Sequence, residues 1–421
     1  MLWMFITFAL FLGLGLPAAF AMGTSGLIGL LTIDGVSAAV IPKKIFEALN
    51  SFPLLAVPLY VLVGEIMNTG GITRRLVAFC NAWLRHIRGS LSHSNIVVSM
   101  IMAGFSGSAT ADAVSVGAIM IPAMIKDGYS PEYSAGVTAA SSCIGPIIPP
   151  SIIMVLYGGI TGLPIGTLFL GGIVPGILIG LSQMVVTVIY GKRLNWPKYP
   201  RASFQEKWNV TKDAIWALLA PVIIIGTLML GVCTATEAGA ITVLYCLFIS
   251  IFIYHDLPIK KIPAVLKRAA RNTAIPCLII SFAGLFGFVL TRENFASILV
   301  GKMFSISQDP HIVMLMVIIL LMIVGLFVDG TVALITFAPI LFPIGQMMNF
   351  PPIQFALVIL MVIMIGTITP PVGLQLYVAA NIAKVPITKV VIWPFVIAML
   401  AVVIACAYIP ELVTFVPTLF G

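Results

Sequence analysis

The chain has 421 residues, of which 60% are hydrophobic and only 9% charged, with a net charge of +8. Soluble domains carry about 25% charged residues, so this composition excludes a soluble enzyme or a soluble nucleic-acid binder and describes a polytopic membrane protein. With roughly 20 apolar residues to a span there is room for about a dozen crossings or half-crossings, and the positive charge reads as basic loops on the cytoplasmic side.

In chain order, Leu2–Ala21 and Met22–Val40 form a first pair of apolar segments, with a break signal at Gly13–Pro17. Met1–Phe20 lacks a basic n-region and reads as a retained span. A connection holding Lys43, Lys44 and Glu47 leads to a span over Phe52–Asn68. Thr73–Arg88 is amphipathic, with Arg74, Arg75, Arg85 and Arg88 among apolar residues, and is expected along the membrane interface. Ser90–Ile125 is too long for one crossing: as helix it would run about 54 Å against a core of roughly 30 Å. Its break at Gly104–Ser108 predicts a re-entrant helical hairpin, with two short crossings as the alternative. Glu132–Gly158 reads as a span broken at Gly145–Pro150, and Ile165–Tyr190 as an intact one. After the polar stretch Lys192–Lys212 the order returns: Ala214–Val232, Ala238–Tyr254, a basic loop and Ala274–Leu290. The charged segment Arg292–Lys302 follows, then a second hairpin (Ile312–Met348), a broken span (Ile353–Ile382) and a last span (Val391–Ile409).

The return is in register. An offset of 221 sets Gly104 on Gly325, Thr110 on Thr331, Pro122 on Pro343, Pro131 on Pro352, Gly145 on Gly366 and Pro149-Pro150 on Pro370-Pro371. These residues have backbone consequences, and duplicated units with interrupted apolar segments mark secondary transporters. The expected organisation is a first repeat over 1–191, a cytoplasmic linker over 192–213 and a second repeat over 214–421. The hairpins fall at about 90–127 and 311–348, and the broken helices at about 131–160 and 352–382. An odd number of crossings per repeat makes the repeats inverted. With the N-terminus outside, 18 of the 22 Lys and Arg fall inside, and only Lys43, Lys44, Arg292 and Lys302 outside. Both termini are then periplasmic, the first hairpin opens inward and the second outward. The fold class is an all-α polytopic membrane protein of two inverted repeats, each with a hairpin and a broken transmembrane helix.

A helix broken in mid-membrane exposes backbone groups that only protein, water or an ion can satisfy. The first tip offers Gly104, Ser106 and Ser108, and faces Gly145, Ile148 and Pro150 in a stretch whose three prolines cannot donate. The second offers Gly325, Val328 and Asp329 opposite Gly366 and Thr369. Acceptors without donors suit a cation, sodium more than a proton relay; kinks serving only packing are the alternative. Among acids in or near apolar runs, Asp329 at the second tip is a functional candidate by default. Asp112 could close the first hairpin by hydrogen bonding, Glu65 and Glu237 fall near span ends, and Asp34 completes the set. Arg292 is the candidate cation for a carboxylate substrate, since a guanidinium fork suits it, although an Arg ending a span also snorkels. Ser106, Ser108, Thr110 and Thr331 could add hydroxyl contacts.

Cys80, Cys143, Cys233, Cys246, Cys277 and Cys406 are scattered singly and read as free thiols. The four histidines have no metal spacing, and no phosphate-binding loop or HExxH is present, so the reading is not an enzyme and has no cofactor beyond coupling ions. An ion channel stays open as an alternative, because hairpins also build filters.

The runs FPLLAVPLYVLVGEIMNTGGIT, GFSGSATAD, AASSCIGPIIPPS, GLFVDG and IGTITPPVG resemble the large membrane subunit (DctM-type) of the tripartite ATP-independent periplasmic transporters, along essentially the whole chain. The resemblance implies a sodium-coupled, elevator-type importer of a small organic acid in the bacterial inner membrane. It also implies a small four-span membrane partner and a periplasmic binding protein. By position it sets sodium sites on the Gly104–Ser108/Gly145–Pro150 and Gly325–Asp329/Gly366–Pro370 pairs, and substrate contacts on Ser108, Arg292 and Asp329. The tips depart from the Ser-Asn-Thr of more distant dicarboxylate carriers. A stand-alone carrier without a binding protein is the alternative.

Overall fold

Apolar runs punctuated by Gly and Pro can satisfy their backbone in a bilayer only as helices. The computed structural model describes residues 2–33, 36–371 and 373–420, and they contain helices and no strand. Asp34 lies outside the described residues. The first half comprises α1 (Leu2–Gly13), α2 (Ala18–Leu31), α3 (Val40–Leu49), α4 (Ala56–Thr69), α5 (Ile72–Leu84), α6 (Ser90–Ser106), α7 (Ala109–Lys126), α8 (Pro131–Ser142), α9 (Ile152–Thr161) and α10 (Ile165–Arg193). The second comprises α11 (Phe204–Met229), α12 (Ala235–Phe248), α13 (Ile262–Arg292), α14 (Phe295–Ile306), α15 (Pro310–Phe327), α16 (Gly330–Met347), α17 (Pro352–Gly366), α18 (Leu374–Ala383), α19 (Trp393–Tyr408) and α20 (Glu411–Phe420). Among the described residues seven helices are long and apolar enough to cross a bilayer, or eight if α19 and α20, bent by 62°, count as one span.

Several boundaries differ from expectation for local reasons. The first pair divides at Pro17, not near Ala21. Helix α11 starts inside the expected linker, because Ser203 caps it by accepting the Glu206 N–H at 3.1 Å. Helix α13 begins at Ile262 instead of Ala274, with Pro263 in its first turn.

Helices α1–α4 pack with α11–α13, and the two hairpins (α6–α7 and α15–α16) pack with α8–α10 and α17–α20. Each hairpin leans on halves of both broken helices: α7 on α8 and α18, α16 on α17 and α9. Where α8 and α17 approach, the Cys143 thiol donates to the Met364 carbonyl at 3.3 Å.

Hairpin one is stitched to its neighbours by buried polar side chains. The Ser92 hydroxyl is hydrogen-bonded to Tyr133 at 2.9 Å and to Thr187 at 3.0 Å. Asn95 donates to Thr138 at 2.6 Å, Ser99 donates to Ser141 at 2.9 Å, and Gln183 donates to the Ala140 carbonyl at 2.9 Å. Such bonds serve as interhelical glue where the hydrophobic effect is absent, at about 0.6 kcal/mol each.

The amphipathic helix α5 packs on α6 and α11. Its Arg75 bridges Asp213 at 3.1 Å and Asp256 at 2.5 Å and lies 3.8 Å from the Tyr254 ring centroid. Arg85 pairs with Glu206 at 2.8 Å. The basic residues of this segment thus tie α5 to α11 and the α12–α13 connection, although Arg74 keeps a largely exposed side chain.

Candidate functional site

The two hairpin tips, 221 positions apart, face one cavity of about 850 Å³. Ser106–Ala111 of hairpin one and Asp329–Val332 of hairpin two line it. Pro146, Ile152 and Ile153 of the first broken helix join them, with Met364, Leu374 and Gln375 of the second. The opposite wall comes from α2, α4 and α13 and carries Glu65, Asn68 and Asn272 as its polar side chains. Among the described residues lining the cavity none is Lys, Arg or His.

Four helices begin at this cavity: α7 at Ala109, α9 at Ile152, α16 at Gly330 and α18 at Leu374. Each N-terminus presents unpaired amides and a partial positive charge of about half a unit. Three carry side-chain caps. Ser108 accepts from the Ala111 N–H at 3.4 Å, Ser151 from Met154 at 3.2 Å, and Asp329 from Thr331 at 2.9 Å. Asp329, expected as an ion or substrate ligand, is therefore also the N-cap of α16. Thr110 and Thr331 line the cavity.

The first tip turns at Gly107, whose φ of +56° suits glycine. A Cβ there would meet the Pro150 carbonyl at 2.7 Å, so the tip rests against its own broken helix. The Ser106 hydroxyl donates to Asp112 at 2.6 Å. Asp112 is fully buried, closes the hairpin across its tip, and leaves its second carboxylate oxygen without a hydrogen-bond partner. That oxygen faces Gly145, where a Cβ would lie 2.5 Å from it. A Cβ on Gly104 would lie 2.6 Å from Pro221 of α11. Within the break the amides of Ile144, Gly145, Ile147 and Ile148 are paired locally, and the Ile148 side chain packs on Gly176 of α10.

The second tip is built otherwise. Val328 is extended (φ −119°), and Gly325 meets Gly366 backbone to backbone, a Cβ on Gly325 falling 2.8 Å from the Gly366 Cα. The Thr369 hydroxyl is buried and donates to the Ile365 carbonyl at 2.7 Å. Both breaks contain a cis X-Pro bond, Pro149-Pro150 and Pro370-Pro371.

Arg292 is not brought to the cavity: it is exposed in the last turn of α13, where a guanidinium reaches polar surroundings. Glu237 also stands apart. It forms a capping box with Thr234 at the start of α12, which accounts for an acid at that span end. Glu65 sits in the last two turns of α4 and was legible only as a span-end acid. The structure pairs it across to α13, with Arg268 at 2.9 Å and Asn272 at 2.8 Å. Sequence reasoning missed Gln375. It is 3% exposed, lines the cavity, and its side-chain carbonyl oxygen has no hydrogen-bond partner. A glutamine in an apolar run where the other half has Met154 was the available signal.

Over residues 5–412 the chain matches the family described as tripartite ATP-independent periplasmic transporter, DctM component. It is 34% identical to the sialic acid TRAP transporter large permease protein SiaM of Vibrio cholerae, with 99% of this chain and 97% of that protein covered. It is 35% identical to the C4-dicarboxylate TRAP transporter large permease protein DctM of Pseudomonas aeruginosa, covering 95% and 94%. Among solved structures, the Alcanivorax borkumensis YdaH transporter aligns with a TM-score of 0.64 at 12% identity, over 96% of this chain and 97% of that one, a likeness of fold.

Proposed function

This chain belongs to the DctM-component family of tripartite ATP-independent periplasmic transporters, and from that premise we propose that it imports a small organic anion coupled to sodium. The observation that carries the reading is the single cavity onto which both tips and both helix breaks open, with four helix N-termini around it and, among the described residues, no basic side chain in its lining. Four N-termini amount to about +2, enough to outweigh the Asp329 carboxylate and hold an anion without an arginine. That role thereby passes from Arg292 to the helix ends.

Sodium takes the acceptor-rich pockets behind the tips. One comprises the Gly104–Ser108 and Gly145–Pro150 segments with the unsatisfied Asp112 oxygen, the other Gly325–Asp329 with Gly366–Thr369. The cation offsets substrate charge and holds tip and break together. The hairpin body and the α1–α4/α11–α13 body face each other across the cavity, the arrangement an elevator needs. In this reading the halves are inverted repeats in the bacterial inner membrane with both termini periplasmic. A small four-span subunit and a periplasmic binding protein are then the other two parts of the tripartite system.

The test is thermal unfolding of the purified chain in sodium against potassium and choline at matched ionic strength, since a ligand that binds only the folded state raises its stability. A sodium-specific rise that Asp329→Ala and Ser108→Ala each reduce is expected. Equal curves in all salts would overturn sodium coupling.

A further inference from the structure

We infer that the substrate class of this cavity is a monoanion with an uncharged or cationic second pole, not a dianion; the inference rests on the anion-site reading above. The cavity has two unlike walls. On the hairpin side four helix N-termini converge, and Gln375, whose side-chain amide nitrogen can donate, lines the cavity beside them. An anionic headgroup belongs there. Opposite, the polar lining is Glu65, Asn68 and Asn272.

The cation paired with that wall's acid is fully engaged. Arg268 gives its Nε to Glu65 at 2.9 Å and a terminal nitrogen to the Thr69 hydroxyl at 2.8 Å. Asn272 holds the other Glu65 oxygen at 2.8 Å, so the carboxylate is fixed from both sides on a side chain only 18% exposed. A second carboxylate directed at this wall would meet the Glu65 carboxylate, with no Lys, Arg or His among the described lining residues to receive it, and like charges placed together are disfavoured. A hydroxyl, amide or ammonium there would instead meet Glu65, Asn68 and Asn272 as hydrogen-bonding partners. Glu65 is thus a specificity-determining residue. It discriminates by repelling the wrong ligand as well as by binding the right one.

The test uses pairs that differ by one charge and hardly in size: succinate against its half-amide succinamate, and glutarate against its half-amide. Binding to the full chain is read as a ligand-dependent rise in unfolding temperature at fixed sodium. The half-amides are expected to bind at least about tenfold tighter than the diacids. Glu65→Gln frees Arg268 and should shrink or reverse that ratio, while Arg268→Gln leaves Glu65 uncompensated and should widen it. The two variants move the ratio in opposite directions, so a general loss of stability cannot imitate the result. Diacids binding as tightly as half-amides to the unaltered chain would overturn the inference and leave the anion site standing. Binding of neither member of either pair, with the sodium response intact, would overturn the anion-site reading and this inference with it.

Discussion

Hairpin one and hairpin two occupy corresponding places in the two halves, yet they are held by different forces. Ser92, Asn95, Ser99, Ser106 and Asp112 of hairpin one correspond at the 221 offset to Val313, Met316, Leu320, Phe327 and Ala333. Thr138 and Ser141 of the first broken helix correspond to Ile359 and Val362. One hairpin is therefore stitched by directional hydrogen bonds and closed by a buried carboxylate. The other is held by apolar packing and a glycine-on-glycine crossing. Helix order and the Gly/Pro breaks specify the topology, and the adhesive between helices can be exchanged without altering it. What differs at the tips is chemistry: the acid of hairpin one is buried behind its tip, and the acid of hairpin two stands at the cavity.

The sharpest way to break the comparison is at the glycines. Gly325→Ala drives a Cβ into the Gly366 backbone, which cannot swing aside, and should cost on the order of 3 kcal/mol despite the helix propensity gained. Gly104→Ala meets Pro221 on a separate helix that can shift, and should cost about half as much. Thermal unfolding of the two variants side by side decides this, and equal losses would remove the distinction.

The polar stitching is probed next. Asn95→Ala removes the donor to Thr138 and the acceptor for Ser141 and should cost about 1–2 kcal/mol. Met316→Ala, its half-buried counterpart, should lose about 1 kcal/mol through the packing it gives up. Accelerated hydrogen exchange along α8 in Asn95→Ala, absent from α17 in Met316→Ala, would locate the stitching where the structure has it. Asp329→Ala is milder for folding, about 1 kcal/mol as a lost N-cap, and should register mainly in the sodium response.

The smallest effect lies at the feet of the hairpins. The Tyr199 hydroxyl donates to Asp127, the C-cap of α7, whereas the corresponding residue after α16 is Met348. The bond to the Asp127 carboxylate raises the phenol's pKa above its ordinary value. A raised folded-state pKa means that the stabilisation is complete below the ordinary tyrosine value near 10 and is lost as pH rises through the raised one. Tyr199→Phe should therefore match the parent in the alkaline limb and fall slightly below it at neutral pH. Tyr199 is exposed and Asp127 only half-buried, so the difference should be small.

Much of this architecture was legible because Gly, Pro and capping Ser or Asp act locally. The tips at Gly107 and Val328 fall where the sequence breaks, as do both interrupted spans. The start of α11 was missed although Ser203 and Glu206 spell a helix entry, because a polar, proline-bearing stretch outweighed a four-residue cap. The site was legible on its hairpin side only. Glu65, Arg268 and Asn272 lie about 200 positions apart, and no periodicity in α4 or α13 announces that they meet. Arg292 was favoured because chemistry called for a cation near a carboxylate. The cavity is ringed by helix N-termini, which a count of charged residues does not reveal.

The bond from Cys143 to Met364 joins two positions separated by the repeat offset itself. The contact is nevertheless unlike on its two sides, a side-chain thiol on one and a backbone carbonyl on the other. Any residue at 364 supplies that carbonyl, so the bond depends on the identity of position 143 alone, and the two halves are free to differ at the very point where they touch.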